Sequence, residues 1–446
     1  MKRSLTEGSV FGNLLVFSLP FLLAYFMQTL YGLADLYIIG NYCDVASTTA
    51  VSIGSQVMHM VTVMIVGLAM GSTVLIGKAV GAKNEEDTNI AIGNTATVFL
   101  IISLVTSFLL IINTINIVKL VATPIEANAG TRAYLLICFA GVPFITAYNI
   151  IASIFRGMGD SKSPMYFIAV ACVCNIALDL LFIGGLNMGP AGAALGTTLS
   201  QTISVIVSVI AIVKKKMIMG IQLWHFKPDS TAIKEIFKVG IPVTAQDGFI
   251  QVSFILITIF ANMRGIEDAA AVGIVEKLIG ILFLIPSSLL AAVSALCAQN
   301  NGANEHKRAR HTLYDAALLA ASIGMIFAIV FQFIAADAVA LFTTDAEVIA
   351  RGSLYMKSYV WDCVVAGIQF VFSGFFCAYS HAGISFMHNV VSIITARIPL
   401  AYYASVHYMD TLYPMGMAAP IGSFISVVIC VVAFIVLRKK GDLGTI

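Results

Sequence analysis

The sequence predicts an all-α polytopic membrane protein: twelve transmembrane helices in two six-helix bundles, related by a pseudo-twofold axis along the membrane normal. Three observations carry that expectation. Of 446 residues, 59% are hydrophobic and only 11% are charged, whereas soluble domains carry about 25% charged residues. Apolar runs of about 20 residues, the length that crosses a hydrocarbon core, recur twelve times. The second half of the chain also repeats landmarks of the first at nearly constant spacing.

The twelve runs fall near 11–39, 48–76, 90–114, 127–154, 164–186, 191–213, 236–262, 269–297, 312–335, 346–379, 384–406 and 415–437. Several are longer than a perpendicular span needs, so tilted or bent helices are expected. The first run reads as a retained span. Met1–Val10 before it is polar, the run is too long for the apolar core of a signal peptide, and it has no small-residue exit. Eight cysteines lie mostly inside apolar runs, where they read as small hydrophobic filler.

The net charge is only +2 and the basic residues sit in short loops between apolar runs, so nucleic acid is not an expected partner. Their distribution sets orientation instead. With the N-terminus inside, the inner segments hold 18 of the 25 Lys and Arg, including Lys2, Arg3, Lys214, Lys215, Lys216, Lys307, Arg308, Arg310, Arg438, Lys439 and Lys440. The outer loops hold only Lys119 and Arg264. The bias of positive loops toward the cytoplasm predicts a multi-pass protein of the cell membrane with both termini cytoplasmic.

The longest polar connection, at 214–238, divides the chain almost in half. Pro20 in "FSLPFLL" matches Pro242 in "KVGIPVT", and "VGAKNEE" (80–86) matches "NGANEHK" (301–307). Phe155 of "FRGMGDSKSPM" aligns with Phe376 of "FCAYSHAGISF", and "GPAGAALG" with "YPMGMAAP". Each match is weak alone, but all four keep their order and nearly the same offset. The expected organisation is an N-lobe at 1–213, a cytoplasmic linker at 214–235 and a C-lobe at 236–446. Six spans is an even number, so both copies enter from the same side, as in transporters that rock two bundles around a site.

Ionisable groups inside the runs are Asp35, Asp179, Asp247, Glu276, Lys277, Asp315, Lys357, Asp362 and Arg397. Facing lipid at a helix centre, each would cost about 2.5–3.5 kcal/mol or more, so they are expected to face a cavity or each other. Asp247, Glu276, Asp362 and Arg397 form a candidate polar cluster of the C-lobe. Asn175 and Asp179 are four apart and share a helix face. Asp179 lies roughly 22–24 Å from the inner end of its span, and Asp35 also falls late in an inside-to-outside span. Two carboxylates meeting in a poorly hydrated cavity repel each other and lose solvation. Both effects favour uptake of a proton, and a sodium ion could be held by the same oxygens of Asp35, Asn175 and Asp179. The repeat equivalents of these three residues are Ile257, Ala396 and Leu400. The scaffold is duplicated and this constellation is not, which favours function over a packing role.

At this point the residues resemble the multidrug and toxic compound extrusion (MATE) family. "LPFLLAYFMQTLYGLADLYIIG" (19–40) looks like its first helix, with Pro20 followed by Asp35, and "FRGMGDSKSP" (155–164) is similar to its turn between the fourth and fifth helices. The resemblance covers residues about 10–440. It implies an antiporter that expels cationic or amphipathic organic compounds, driven by inward proton or sodium flow. It further implies no cofactor beyond the coupling ion, H⁺ or Na⁺, with small organic substrates and the bilayer as partners and a monomeric state. In one branch the coupling site is in the N-lobe, and the matching positions are Asp35, Asn149, Asn175, Asp179 and Thr197, with Tyr134 as an accessory. Another branch carries a C-lobe glutamate eight residues after the seventh-helix proline. Here that position is Ile250, which argues against a C-lobe coupling site.

Pro20 and Pro242 are expected to bend their helices. Two other functions compete on the residues. A polytopic membrane enzyme would use "NIALD" as the start of an aspartate-rich metal motif, but the third acid would fall at Ile183. A lipid or oligosaccharide flippase would want cavity cations, for which Lys277, Lys357 and Arg397 are candidates. "GSTVLIGKA" (71–79) misses the phosphate-loop spacing, so transport is expected to be secondary.

Overall fold

The computed structural model describes residues 5–215 and 220–444, and among these every regular element is helical. The first half contains α1 (Val10–Tyr42), α2 (Val45–Gly81), α3 (Glu85–Ile112), the short α4 (Thr114–Leu120), α5 (Ile125–Gly157), α6 (Lys162–Asp179) and α7 (Gly189–Lys214). A π-helical turn, Leu180–Gly185, prolongs α6. The second half contains α8 (Ser230–Asn262), α9 (Ile266–Leu282), α10 (Leu284–Gly302), α11 (His306–Ala340), α12 (Ala346–Tyr359) and α13 (Asp362–Ala378). It continues through α14 (Ala382–Ser392), a second π-helical turn (Ile393–Arg397), α15 (Ile398–His407), α16 (Tyr413–Gly416) and α17 (Ala418–Lys440). Eleven helical stretches are each long and apolar enough to cross a membrane, and the pair α12–α13, bent by 42° at a short break, supplies the twelfth. Each overlaps one of the twelve apolar runs, in order. Lys2, Arg3 and Lys216, used above for orientation, and residues 216–219 of the expected linker lie outside the described residues.

The chain forms two compact units, residues 23–240 and residues 5–22 with 241–444. The divisions fall inside α1 beside Pro20 and inside α8 beside Pro242. Both helices continue through their proline, although each proline removes one donor from the helical ladder. In the first unit α5 is central, packed against α2, α3 and α7. Leu135, Phe139 and Val142 on α5 are fully buried in its apolar core. In the second unit α13 holds the corresponding place, against α10, α11 and α17.

The repeat is visible in the backbone. Lys83 and Asn304, equivalent positions of the two copies, both take the left-handed conformation, with φ of 54° and 57°. Gly159 and Ser380, a second equivalent pair, have φ of 86° and 59°. The turn hydrogen bonds repeat as well: Asp160 N donates to the Phe155 carbonyl and His381 N to the Phe376 carbonyl, both at 2.8 Å. Glycine adopts such a conformation without steric cost, whereas Ser380 holds it against its Cβ.

Two clusters pin the helix ends. Arg264, after α8, donates Nε to Asp268 at 2.6 Å and Nη1 to the Tyr408 carbonyl at 2.9 Å. Its Nη2 reaches the carbonyls of Met409 and Thr411, so one guanidinium satisfies acceptors beyond the end of α15. In the first unit, a 3-10 turn (Leu223–Phe226) is latched to α3. Thr97 donates to the Phe226 carbonyl at 2.8 Å, and the Asn94 side chain accepts from Asp229 N at 2.7 Å.

The turn "GMGDSKSP" gathers the ends of α5, α6 and α7. Asp160 accepts from the backbone N–H of Lys162 and Ser163 and from the Ser163 hydroxyl at 2.6 Å. Lys215, just past α7, closes on the same carboxylate at 2.8 Å. Burial opposes ionisation of Asp160, but hydrogen bonds from Lys215 and Ser163 outweigh it and hold the carboxyl below its usual range. Asp160→Asn should therefore lower stability at neutral pH by about 1 kcal/mol, a small figure because both partners are partly exposed. Since the native carboxyl titrates below its unfolded value, the stabilisation is present above about pH 4 and is lost as pH falls through the native value. Thermal melts of the solubilised protein should separate variant from parent at pH 7 and converge only as the pH falls through the lowered native value of Asp160. Identical melts at pH 7 would contradict this account.

A buried acidic site in the first unit

The first unit buries hydroxyl and amide side chains at several places in its core, and at one of them it also buries two carboxylates. Asp35 on α1, Asn175 and Asp179 on α6 and Thr197 on α7 come together there, and Asp35, Asn175 and Asp179 are buried. The i, i+4 spacing of Asn175 and Asp179 does put both on one face, turned toward α1. Thr197 donates to Asp35 Oδ2 at 3.4 Å. Beyond that the site is short of well-aligned partners: Asp35 Oδ1, both carboxylate oxygens of Asp179 and both polar atoms of Asn175 make no hydrogen bond of good geometry, although Asn175 and Asp179 lie within interaction reach of the Asp35 carboxylate. Buried polar atoms without a partner are costly, and a pair of buried carboxylates without a counter-cation is costlier still.

Chain geometry tightens the site. The π-helical turn begins immediately after Asp179, and such turns place side chains off the regular helical register. Gly196 on α7 lies against Asp179, so that a Cβ there would collide with Asp179 Oδ1. The absent side chain is what admits the carboxylate.

The other expected members are placed unequally. Tyr134 on α5 is buried within electrostatic reach of Asp35, and its ring fills the space over Gly54. Asn149 is buried, but its amide donates to its own helix at Ile145, 2.8 Å away, and not to the acids. The structure adds Tyr31 and Gln201, which lie near each other beside Asp35, with Gln201 Oε1 unpartnered. Spacing was the available signal for both: Tyr31 is four residues before Asp35, and Gln201 four after Thr197.

In the second unit, Glu276, Asp362 and Arg397 share one region around Tyr359 and Tyr355, where Asp362 is buried and Glu276 and Arg397 are half-buried. Arg397 Nη2 donates to the Tyr359 hydroxyl at 2.8 Å, and its guanidinium lies 4.7 Å from the Phe254 ring centre. Thr258 donates to Glu276 Oε2 at 3.5 Å. Among the described residues Arg397 forms no direct ion pair, and Asp362 Oδ1 and Glu276 Oε1 have no hydrogen-bond partner. Asp247 stands apart from this group, acting instead on Cys377. Lys277 is exposed and Lys357 half-buried. Among the described residues no three His, Cys, Asp or Glu are grouped to hold a metal ion.

The Gly196 contact makes a prediction. Gly196→Ala should push Asp179 away from α1 with little change in fold, because a single methyl meets only the end of a side chain. Small-to-large changes in packed sites cost about 1–3 kcal/mol, read as a lower melting temperature. Asp179→Ala in the same background should recover most of that loss. A double variant no more stable than Gly196→Ala would contradict the contact.

Known proteins place this architecture. A family model described as MatE matches the chain twice, over residues 20–181 and 242–403, two segments related by the same shift that carries Pro20 to Pro242. The probable multidrug resistance protein YoeA of Bacillus subtilis (strain 168) is 27% identical over 413 residues, covering 90% of this chain and 88% of that protein. The multidrug export protein MepA of Staphylococcus aureus (strain MW2) is 26% identical over 372 residues, covering 82% and 81%. Among solved structures, a multidrug resistance MATE family transporter of the MOP superfamily in its outward-facing conformation superposes with a TM-score of 0.90. It is 20% identical, with 98% of both chains covered, a likeness of fold. With the family model matched over both halves, the chain belongs to the MatE family.

Proposed function

We propose that this protein is a secondary active antiporter that exports cationic or amphipathic organic compounds, multidrug efflux in effect, in exchange for protons or sodium ions by alternating access. The family is one of transporters and not of enzymes, and similarity to multidrug resistance and export proteins over most of the chain supports the substrate class. A lipid or oligosaccharide flippase fits less well. Of the three cations it would need, Arg397 is engaged with Tyr359 and Phe254. The orientation read from Lys and Arg puts both termini in the cytoplasm, and a monomer bound by lipid is sufficient for the mechanism.

One observation carries the coupling site: two buried carboxylates, Asp35 and Asp179, meet among unpartnered amide and carboxylate oxygens. Such a site is satisfied by a proton shared between the acids, or by a sodium ion taking oxygens of Asp35, Asn175 and Asp179. Thr197 orients the Asp35 carboxylate, and Tyr134 closes the site from α5. Asn149 contributes by filling the wall of the site and not by a bond to the acids. Either ion removes the repulsion between the carboxylates and so stabilises one position of α1 relative to α6 over another. Differential ion affinity of two states is all that coupling requires. Pro20 in α1 and Pro242 in α8 supply the bends by which the two states can differ.

Replacing either aspartate by asparagine removes the charge and barely changes the volume. Asp35→Asn and Asp179→Asn should insert and fold, yet lose gradient-driven efflux by about 5- to 150-fold, the range of ordinary coupling energies. Dye transport in inverted vesicles with imposed pH or sodium gradients reads this directly. Full efflux in Asp179→Asn together with loss in Asp362→Asn would move the site to the second unit and refute the proposal.

A further inference from the structure

At the polar ends of α11 and α17, within the second unit, a cavity of about 280 Å³ is lined by Lys307, Arg310, His311, Tyr314 and Arg438. No lining residue is acidic. Among the described residues, none of the three lining cations enters a salt bridge. Arg310 is the least expected of them: its side chain is buried, at 7% exposure, and Nη1 reaches only the Leu443 carbonyl at 3.4 Å. The positive end of the α11 dipole and the negative end of the α17 dipole both fall here and offset each other, so the side chains set the sign of the site. Three cations around one hollow, with no acidic residue in its lining, form a receptor for an anion.

The surroundings identify the anion. Tyr314 is half exposed and meets Phe434 edge-on, ring centres 6.3 Å apart. Tyrosine at a helix end is typical of the boundary between headgroups and acyl chains. Beyond it, away from the cations, both helices present apolar side chains outward: Leu318 and Ile326 on α11, and Val428, Val432 and Ile435 on α17, are all exposed. The cavity thus joins a cationic pocket at the helix ends to an apolar face running along the spans.

We infer that this cavity binds the headgroup phosphate of an anionic phospholipid, with the acyl chains laid along the exposed faces of α11 and α17. Basic pockets between transmembrane helices recognise anionic headgroups in this way. A soluble phosphate would meet the same cations but gain nothing from the apolar face. The inference is independent of the transported substrate and of the coupling ion.

The test is native mass spectrometry of the full chain in detergent, titrated with phosphatidylglycerol, with phosphatidylcholine, and with inorganic phosphate as competitor. Lys307 and Arg438 are both exposed, so Lys307→Gln with Arg438→Gln leaves the core intact. Lys439→Gln with Lys440→Gln removes the same charge from the same helix end without touching the cavity. Phosphatidylglycerol should bind in preference to phosphatidylcholine and resist displacement by inorganic phosphate. The cavity pair should weaken it by roughly 30-fold, from about 1 kcal/mol per basic residue, and the control pair should leave it unchanged. Equal losses in the two pairs, equal binding of both lipids, or displacement by inorganic phosphate would each overturn the inference.

Discussion

Two carboxylates, buried without a partner cation, constrain the rest of the first unit. A protein interior can hold Asp35 and Asp179 together only if something positive joins them or if one gives up its charge. On the proposed function, the neighbouring atoms serve that event. Gly196 makes room for Asp179, Thr197 supplies one donor to Asp35, and Asn175 holds an amide beside Asp35 with no well-aligned bond of its own. Were the site only a structural joint, those orphaned atoms would be expected to find partners, as Asp160 and Arg264 do at the helix ends. Single hydroxyl and amide atoms go unpartnered elsewhere in the interior, but in the first unit only this place combines them with unpartnered carboxylate oxygens among the described residues.

Duplication explains what the two units share, and its failures show where they differ. Left-handed turn residues recur at equivalent positions of the two copies, α13 is central in its unit as α5 is in the other, and both fifth spans carry a π-helical turn. Tyr134 recurs as Tyr355, but the acids do not recur. Where the first unit brings two acids together, the second sets Arg397 among Glu276, Asp362 and two tyrosines, and braces it on the Phe254 ring. A guanidinium built into the acid-bearing region carries its own positive charge, which reduces the need for an ion from solution. On the proposed function, the same scaffold holds one site open to a cation and one already supplied with a fixed cation.

Much of this is legible in the sequence because membrane helices obey few rules. Twelve apolar runs map onto twelve spans, since lipid forces each backbone into a helix of about the bilayer's thickness. Asn175, Asp179 and Asp35 can be picked out because a polar atom in such a run is conspicuous. What escapes is local or tertiary. Tyr31 and Gln201 are ordinary residues for a span, and their four-residue spacing from Asp35 and Thr197 gains meaning only when α1 and α7 are placed together. The role of Gly196 depends on a neighbour in the preceding span, and the π-helical turn after Asp179 leaves no compositional trace. The sequence suggests Asp247 as a companion of Arg397, yet it stands elsewhere, because shared membrane depth does not fix which way a side chain faces. The Lys and Arg near 307 and 438 serve in the sequence only to orient the chain; that three of them enclose one cavity requires the fold.

The most direct test of the central claim is ion release at equilibrium. Purified protein in weakly buffered detergent would be mixed with a cationic dye, with pH and sodium activity followed together. The account predicts that dye binding expels a proton or a sodium ion from wild-type protein, and that a variant with both Asp35→Asn and Asp179→Asn binds dye and expels neither. Ion release that persists undiminished in that double variant would contradict it.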